Sequence, residues 1–465
     1  MNSGEGNPGD VARGASDHDR LLGAEVAEDT EWLRRELDYH RLEVQRLRAE
    51  LCGRKDARHL LRTAATAGLA TIMRTGREGR AALMSRPPST NFHPTYQPYR
   101  IRIPTSVGPS PPRVLHAIAN VATGGSTRLV ADLLEGLGHR FHQEVVTRDA
   151  PISSGYLGMT IHRQRHARGL EPFLSLLRNF QPDLLHVHYF GDRRGWSNDS
   201  DWCWYHYLFQ AAEVHGCKVI ENVNIPVEPY VSRAVRCYVY VSQDVRHRFG
   251  RADTATLVIY PGSDLARFTR RTGTPVPDNC VGMVYRLDGD KVDDRSFEPI
   301  LGILRGRRAT KALVVGGGAY LPSYQAAAEA AGLAARVTLT GYVSYSDLPA
   351  MYEEMSLFVA PVHRESFGQV GVFAMSMGLP VVGYDLPALR EILGGAETLV
   401  PPGDAHRLAE LAIDLLDDPG RRQVIGERNR RRAHQLFSLD EMLARYEALY
   451  DQLIGSRTPL PAQSQ

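Results

Sequence analysis

From Arg113 onwards the chain alternates short β-branched apolar runs with longer segments of helical period. The first series reads "RVLHAIA", "QEVVT", "DLLHVH", "KVIENV", "CYVYVS" and "TLVIY"; after about residue 278 it restarts as "VGMVYR", "ALVVGGG", "RVTLTG", "LFVAPV", "PVVGYD" and "ETLVPP". Runs that stay apolar, with no polar alternation, belong to strands covered on both faces, so each series predicts a parallel sheet flanked by helices. Two Rossmann-like α/β domains facing a central cleft are expected, over residues 113–262 and 279–437, joined by a Gly- and Pro-bearing linker over 263–278. The segment "SLDEMLARYEALYDQLI" predicts a C-terminal helix over 438–455, with Ser438 as its cap and Glu441 at the third position, before a disordered tail over 456–465.

The first 112 residues have a different pattern. Residues 1–28 are rich in Gly, Ser, Asp and Asn and bury too little to fold alone. Over 29–54, Leu33, Leu37, His40, Val44, Leu47 and Leu51 keep heptad spacing. Two readings stay open there: a short coiled coil, serving self-association or a protein partner, and a single amphipathic helix packed on its own protein. Residues 55–112 combine a basic helical segment with the linker "PTSVGPSPP"; Arg62, Arg74, Arg77, Arg80 and Arg86 face a single acid, Glu78, within 62–86. A helix of that kind can lie peripherally on an anionic membrane surface or remain solvated or protein-packed.

Charge and cysteine usage narrow the class. Lysine plus arginine (55) nearly balances aspartate plus glutamate (53), so no global field calls for nucleic acid as a partner. Cys52, Cys203, Cys217, Cys237 and Cys280 form no CxxC pair, which argues against a zinc site or a disulfide framework and fits a reducing cytoplasm. No apolar run reaches the ~20 residues a membrane span requires.

Ligands of open parallel sheets sit beyond the carboxyl ends of the strands, so the candidate chemistry is sought there. Gly124 and Gly125 follow the first strand and precede a helix, allowing close approach of a phosphate to backbone amides, although such a pair also serves plain turn chemistry. His186 and His188 end another strand on one face; His188, the outer one, is the candidate for contact with a sugar hydroxyl, and His186 reads as structural. No third ligand of supporting spacing suggests a metal. In "VYRLDGDK", Arg286 and Lys291 are two cations suited to a diphosphate, or else a surface pair. In "APVHRESFGQVGVFAMSMG", Glu365 hangs at the strand end while the backbone of Phe367, Gly368, Gln369 and Val370 opens a helix whose first amides can cradle a phosphate-bearing ligand.

Taken in order, "GGSTRLVADLLEGL", "DLLHVHYFG", "VIYPGSDLARF", "VYRLDGDK", "VTLTGYVSYSDLPAMY", "APVHRESFG", "GLPVVGYDLPALREIL" and "FSLDEMLARYEALY" resemble the family-4 retaining glycosyltransferases, from Gly124 to Tyr450. The resemblance implies the GT-B fold, with the acceptor taken by the N-terminal domain 113–262 and the nucleotide-sugar donor by the C-terminal domain 279–437, a nucleoside-diphosphate sugar as substrate, no cofactor and no metal. It implies that Arg286 and Lys291 hold the donor diphosphate, that Glu365 binds donor-sugar hydroxyls and that His188 lies beside the reacting sugar. Gly125 would approach the phosphates or the acceptor, and backbone atoms of Val343 would touch the base. Glu391 matches a frequent acid of the family. The acceptor it implies is a glycan, a lipid-linked intermediate at the inner membrane surface, or a small molecule.

Two positions depart from the pattern. Pro261 stands where the family often has Asn, and Phe373 replaces the second glutamate of an E-x7-E motif, whose carboxylate grips the donor ribose. Phe373 cannot accept those hydrogen bonds, a loss of about 2–5 kcal/mol unless compensated, and Phe373→Glu is then expected to tighten nucleotide binding. A catalytically silent partner that recruits an active transferase through the coiled coil is the competing class, and a nucleotide-sugar epimerase is a second enzyme reading.

Overall fold

The computed structural model describes residues 93, 96–106, 110–121, 124–148, 156–165, 169–191, 201–271 and 276–455. The expected coiled coil over 29–54 and the basic segment over 62–86 lie outside the described residues.

The strands are β1 (Tyr99–Arg100), β2 (Arg113–Ala117), β3 (His142–Thr147), β4 (Tyr156–Leu157), β5 (Ile161–Arg163), β6 (Leu184–Tyr189), β7 (Lys218–Val223), β8 (Val235–Tyr240), β9 (Ala255–Val258), β10 (Cys280–Val284), β11 (Lys311–Val315), β12 (Val337–Leu339), β13 (Leu357–Ala360), β14 (Val381–Tyr384) and β15 (Leu399–Val400). They form a seven-stranded sheet ordered β5-β3-β2-β6-β7-β8-β9 and a six-stranded sheet ordered β12-β11-β10-β13-β14-β15. Every pairing within them is parallel. In each sheet the order reverses beside the first strand, β2 or β10, which opens a crevice at the carboxyl ends. The two crevices face each other. Strand β6 is buried at all six positions and β13 at all four, as an apolar run covered on both faces demands.

The C-terminal helix Leu439–Gly455 does not stay with the second domain. Met442, Tyr446, Leu449, Tyr450 and Leu453 pack with Val114, Leu184 and Ile220 beneath the first sheet. The crossing point is tight: Leu439 donates its amide to the carbonyl of Ser263, Ser263 donates to Phe437, and a Cβ on Gly262 would come within 2.6 Å of the Leu439 Cα. Ser438 caps the helix as its sequence position predicts, accepting from the Glu441 amide.

Part of the segment read as linker is built into the first domain. Strand β1 pairs with β4, Ile101 is buried, and Arg102 donates its amide to Glu135. The alternation "YRIRI" is long enough for one strand but is flanked by prolines, which masked it. Among the described residues no helix is long and apolar enough to cross a membrane.

Candidate functional site

The crevices enclose a cleft of about 320 Å3. Its C-terminal wall is built by two loops. The first follows β10 and is clamped against the loop after β11: Tyr285 donates its amide to Val315 and Leu287 to Gly317, at 3.1 and 2.8 Å. That approach requires glycine opposite, since Gly316 has φ of +132° and a Cβ there would meet the Tyr285 carbonyl at 1.9 Å. The clamp delivers Arg286 to the cleft, where it pairs with Asp290 and, at 3.7 Å, with Asp288. Asp288 is held in turn by the Ala319 amide.

The second loop follows β13. Lys291 Nζ lies 2.6 Å from Oε1 of Glu365, whose side chain is only 6 % exposed and whose Oε1 also accepts from the Ser366 amide at 2.9 Å. Gly368, at φ of +99°, turns the chain into the helix Gln369–Ser376. Across the cleft, the helix Gly125–Leu137 opens with two residues that bear no side chains. A Cβ on Gly124 would stand 3.9 Å from an Arg286 nitrogen, and one on Gly125 would stand 3.5 Å from Oε1 of Gln369. Gln369 itself donates to the Gly262 carbonyl, which ties this helix start to the chain between the domains.

The cleft thus brings together Gly124, Gly125, Arg286, Lys291, Glu365, Phe367, Gly368 and Gln369. Val370 is only partly buried one position further on, and its carbonyl accepts from Tyr352. Neither Val343 nor Phe373 lines the cleft: the Val343 residue is 8 % exposed in the main core, and Phe373 is 3 % exposed. The Phe373 ring stacks on Phe268 with centroids 4.0 Å apart and planes 1° from parallel, with Tyr345 and Tyr352 at its edges. Pro261 lines the cleft. Glu391 caps a helix of the other domain, accepting from the amides of Gln243 and Asp244 at 2.7 and 3.1 Å.

His188 is fully buried and does not line the cleft. Strand β6 continues past it to Tyr189, so the imidazole sits one layer below the mouth, on the face covered by the C-terminal helix. It joins His116 and His186, the one group of His, Cys, Asp and Glu ligand atoms among the described residues that falls within the reach of a metal, all within 4.8 Å. Gln143 donates to the Leu133 carbonyl and offers its oxygen to His116 Nε2 at 2.9 Å, leaving His116 Nδ1 bare to accept from His188 Nε2 at 3.2 Å. His186 Nδ1 meets the Tyr450 hydroxyl at 2.6 Å. Burial keeps all three uncharged, lowering His116 to about 4 and the other two well below the ordinary range. Stacked neutral rings with no carboxylate among them read as a buried polar layer between sheet and helix.

Several cleft residues escaped the sequence reading. Asp290 and Arg364 lie directly beside named positions, and Ile118, Asn120, Phe190 and Asn224 sit at or just past the ends of β2, β6 and β7. The strand-end rule that selected His188 applies equally to Asn224 in "ENVNIP", and there it would have reached the cleft.

Residues 267–432 match the family model described as Glycosyl transferases group 1. Among curated proteins, a D-inositol 3-phosphate glycosyltransferase of Salinispora arenicola is 30% identical over 46% of this chain and 54% of its own length. The alpha-D-kanosaminyltransferase of Streptomyces kanamyceticus is 30% identical over 31% of this chain and 38% of its own. The chain spans about half the length, or less, of these relatives. Among solved structures, the sucrose-phosphate synthase of Thermosynechococcus elongatus superposes with a TM-score of 0.62 at 18% identity, covering 74% of this chain and 99% of that one. HepE of Anabaena, in complex with UDP and glucose, gives 0.60 at 17%, covering 73% and 99%. The fold is GT-B, and the comparisons support a relation to the group 1 glycosyltransferases.

Proposed function

We propose that the protein transfers a sugar from a nucleoside-diphosphate sugar to an acceptor hydroxyl with retention at the anomeric carbon. One observation carries this reading: Arg286, Lys291 and Glu365 converge on one wall of the cleft, opposite a glycine pair that opens a helix. In the reaction the bond from the anomeric carbon to the β-phosphate oxygen breaks and its electron pair leaves with the nucleoside diphosphate. The acceptor oxygen bonds to the same carbon on the same face, and its proton passes to the departing phosphate oxygen.

Charge develops on that oxygen, and two fixed cations stabilise it more than they stabilise the ground state. Lys291 keeps two N–H groups beyond the one given to Glu365, and Arg286 exchanges Asp290 for the pyrophosphate. Those two charges do the work a divalent cation does elsewhere, so the reading is metal-independent. Glu365, held by Lys291 and the Ser366 amide, presents its remaining lone pairs to donor-sugar hydroxyls.

The competing reading, a silent partner of an active transferase, draws on the burial of Phe373 where a ribose-binding carboxylate is usual. Thermal shift against UDP-, GDP-, ADP- and TDP-sugars separates the two, since a donor bound to the native state raises Tm with concentration. Arg286→Ala and Lys291→Ala are each expected to lower turnover by about 10²–10³-fold, the loss typical of one transition-state donor, with the circular dichroism unchanged. No shift with any nucleotide sugar would favour the silent partner.

A further inference from the structure

A second concavity of the C-terminal domain shares no lining residue with the cleft. It is a groove of about 430 Å3 between the helix Pro419–Leu436 and the turn that follows the helix Pro387–Leu393. Arg428, Arg431, Arg432 and Gln435 line one side, at i, i+3, i+4 and i+7, so a single helical face supplies all four. Gly394 and Gly395 line the other, beside Glu397. A Cβ on Gly395 would meet nothing within 4 Å, so that side is open to a ligand.

The three guanidinium groups are held to different degrees. Arg432 is fixed: its Nε donates to the Ile392 carbonyl at 2.8 Å and its Nη2 to that of Glu391 at 2.9 Å, at the carboxyl end of the shorter helix. Gly394 makes room for it, since with φ of +75° it turns the chain, and a Cβ there would stand 2.9 Å from the guanidinium carbon. Nη1 of Arg432 has no acceptor among the described residues. Arg431 is held loosely: Glu427 lies 3.7 Å from it and accepts from Arg430 through both its oxygens, at 3.0 and 3.1 Å. Arg428 pairs with Glu397. Like charges three and four residues apart repel along a helix, and an anion placed between them removes that repulsion.

We infer that this groove is a binding site for a phosphate monoester, in which Arg431 and Arg432 donate to the phosphoryl oxygens and Arg428 joins them when Glu397 gives way. Planar guanidinium forks match the oxygens of a phosphoryl group in pairs, and they are weakly enough hydrated to exchange water for it. The volume falls within the ~300–1,000 Å3 of small-molecule sites, so the groove takes the ester and not the phosphoryl group alone. Arg432 connects the site to the join between the lobes, because the residue whose carbonyl it holds, Glu391, caps the helix Gln243–Phe249 of the N-terminal domain.

The test uses the full chain carrying Lys291→Ala, which weakens anion binding in the cleft, and glycerol 3-phosphate as the probe, titrated by calorimetry. In that background Arg431→Gln is expected to weaken binding about tenfold, as for one lost charged hydrogen bond. Glu397→Gln is expected to tighten it about threefold by releasing Arg428. With side chains 68 % and 50 % exposed, both positions tolerate the change, and circular dichroism should stay the same. Sedimentation with phosphatidylcholine vesicles, with and without phosphatidic acid, separates the two sources of such a group. Capture by the anionic vesicles that Arg431→Gln reduces identifies a lipid headgroup; where glycerol 3-phosphate binds and capture is absent or unmoved by Arg431→Gln, the ligand is a free ester. No binding of either probe, or binding that Arg431→Gln and Glu397→Gln both leave unchanged, overturns the inference.

Discussion

Phe373 lies flat on Phe268, with two tyrosine edges around it, and that setting changes what its replacement would do. An aromatic ring in such a stack contributes its buried area and a stacking increment, so Phe373→Ala is expected to cost about 3–5 kcal/mol. Phe373→Glu should cost at least as much, because the carboxylate would enter a site 3 % exposed among the rings of Phe268, Tyr345 and Tyr352. The expectation drawn from the motif alone, tighter nucleotide binding, therefore gives way to a loss of stability, measurable by urea denaturation. Phe373→Glu protein as stable as the parent and binding nucleotide more tightly would restore the original expectation. Pattern shows that a carboxylate is missing at this position; only packing shows that Phe268 has closed over the space.

At the level of elements, strands β6 and β7 each carry two buried polar side chains, His186 and His188 on one and Glu221 and Asn222 on the other. Glu221 on β7 is fully buried; its Oε1 accepts from the Tyr230 amide at 2.8 Å and its Oε2 has no partner. Burial raises its pKa well above the carboxylate range, against the Tyr230 amide and Arg251, which lower it. The folded state thus keeps a proton that the unfolded chain gives up near its ordinary value. Glu221's contribution is complete below that value and is lost as pH rises towards the folded pKa. Glu221→Gln keeps the acceptor for Tyr230 and removes the titration. It should raise stability at pH 8 by on the order of 1 kcal/mol, about 2–4 °C in Tm for a domain of this size, and narrow the difference between pH 5 and pH 8. An unchanged pH profile would place the relevant proton elsewhere. These strands also show why the sequence was legible in one respect and not in another. Continuous apolar runs specified the two sheets, and strand ends beside glycine specified Gly124, Gly125, Arg286, Lys291 and Glu365 as neighbours, because both depend on local period and chain direction. How far a strand runs past a residue does not, which is why His188 falls below the cleft and Asn224, one strand over, reaches it.

The whole molecule is held across the cleft by contacts that no single motif contains. Arg128, 5 % exposed on the helix that begins with Gly125, projects from the N-terminal domain over the ring of Tyr345 in the C-terminal domain, 4.2 Å from its centroid, and over Tyr99 of β1 at 5.0 Å. Its Nε lies 2.8 Å from Asp132, and Glu135 accepts from Nη2 at 3.1 Å. Arg267 approaches the same two rings from the chain between the domains. One guanidinium therefore serves two purposes: it neutralises a fully buried carboxylate, which burial lifts to about 6 even with Arg128 beside it, and it joins the two lobes through an aromatic face. Arg128→Ala removes both. Asp132 is left without its partner, at a cost of about 3–5 kcal/mol for a broken buried pair, and the lobes keep only contacts such as Ser242 to the Ser366 carbonyl and Glu391 to the Gln243 and Asp244 amides. The double variant Arg128→Met with Asp132→Leu separates the two effects, since it removes the ion pair without stranding a charge. It should recover much of the stability while leaving Tyr345 with Arg267 as its one cation among the described contacts. Small-angle scattering is then expected to show a larger radius of gyration for the double variant than for the parent at equal stability, and an unchanged radius would mean that the remaining contacts, Arg267 over Tyr345, Gln369 to Gly262, the Glu391 cap and the Ser242 bond among them, set the distance between the lobes.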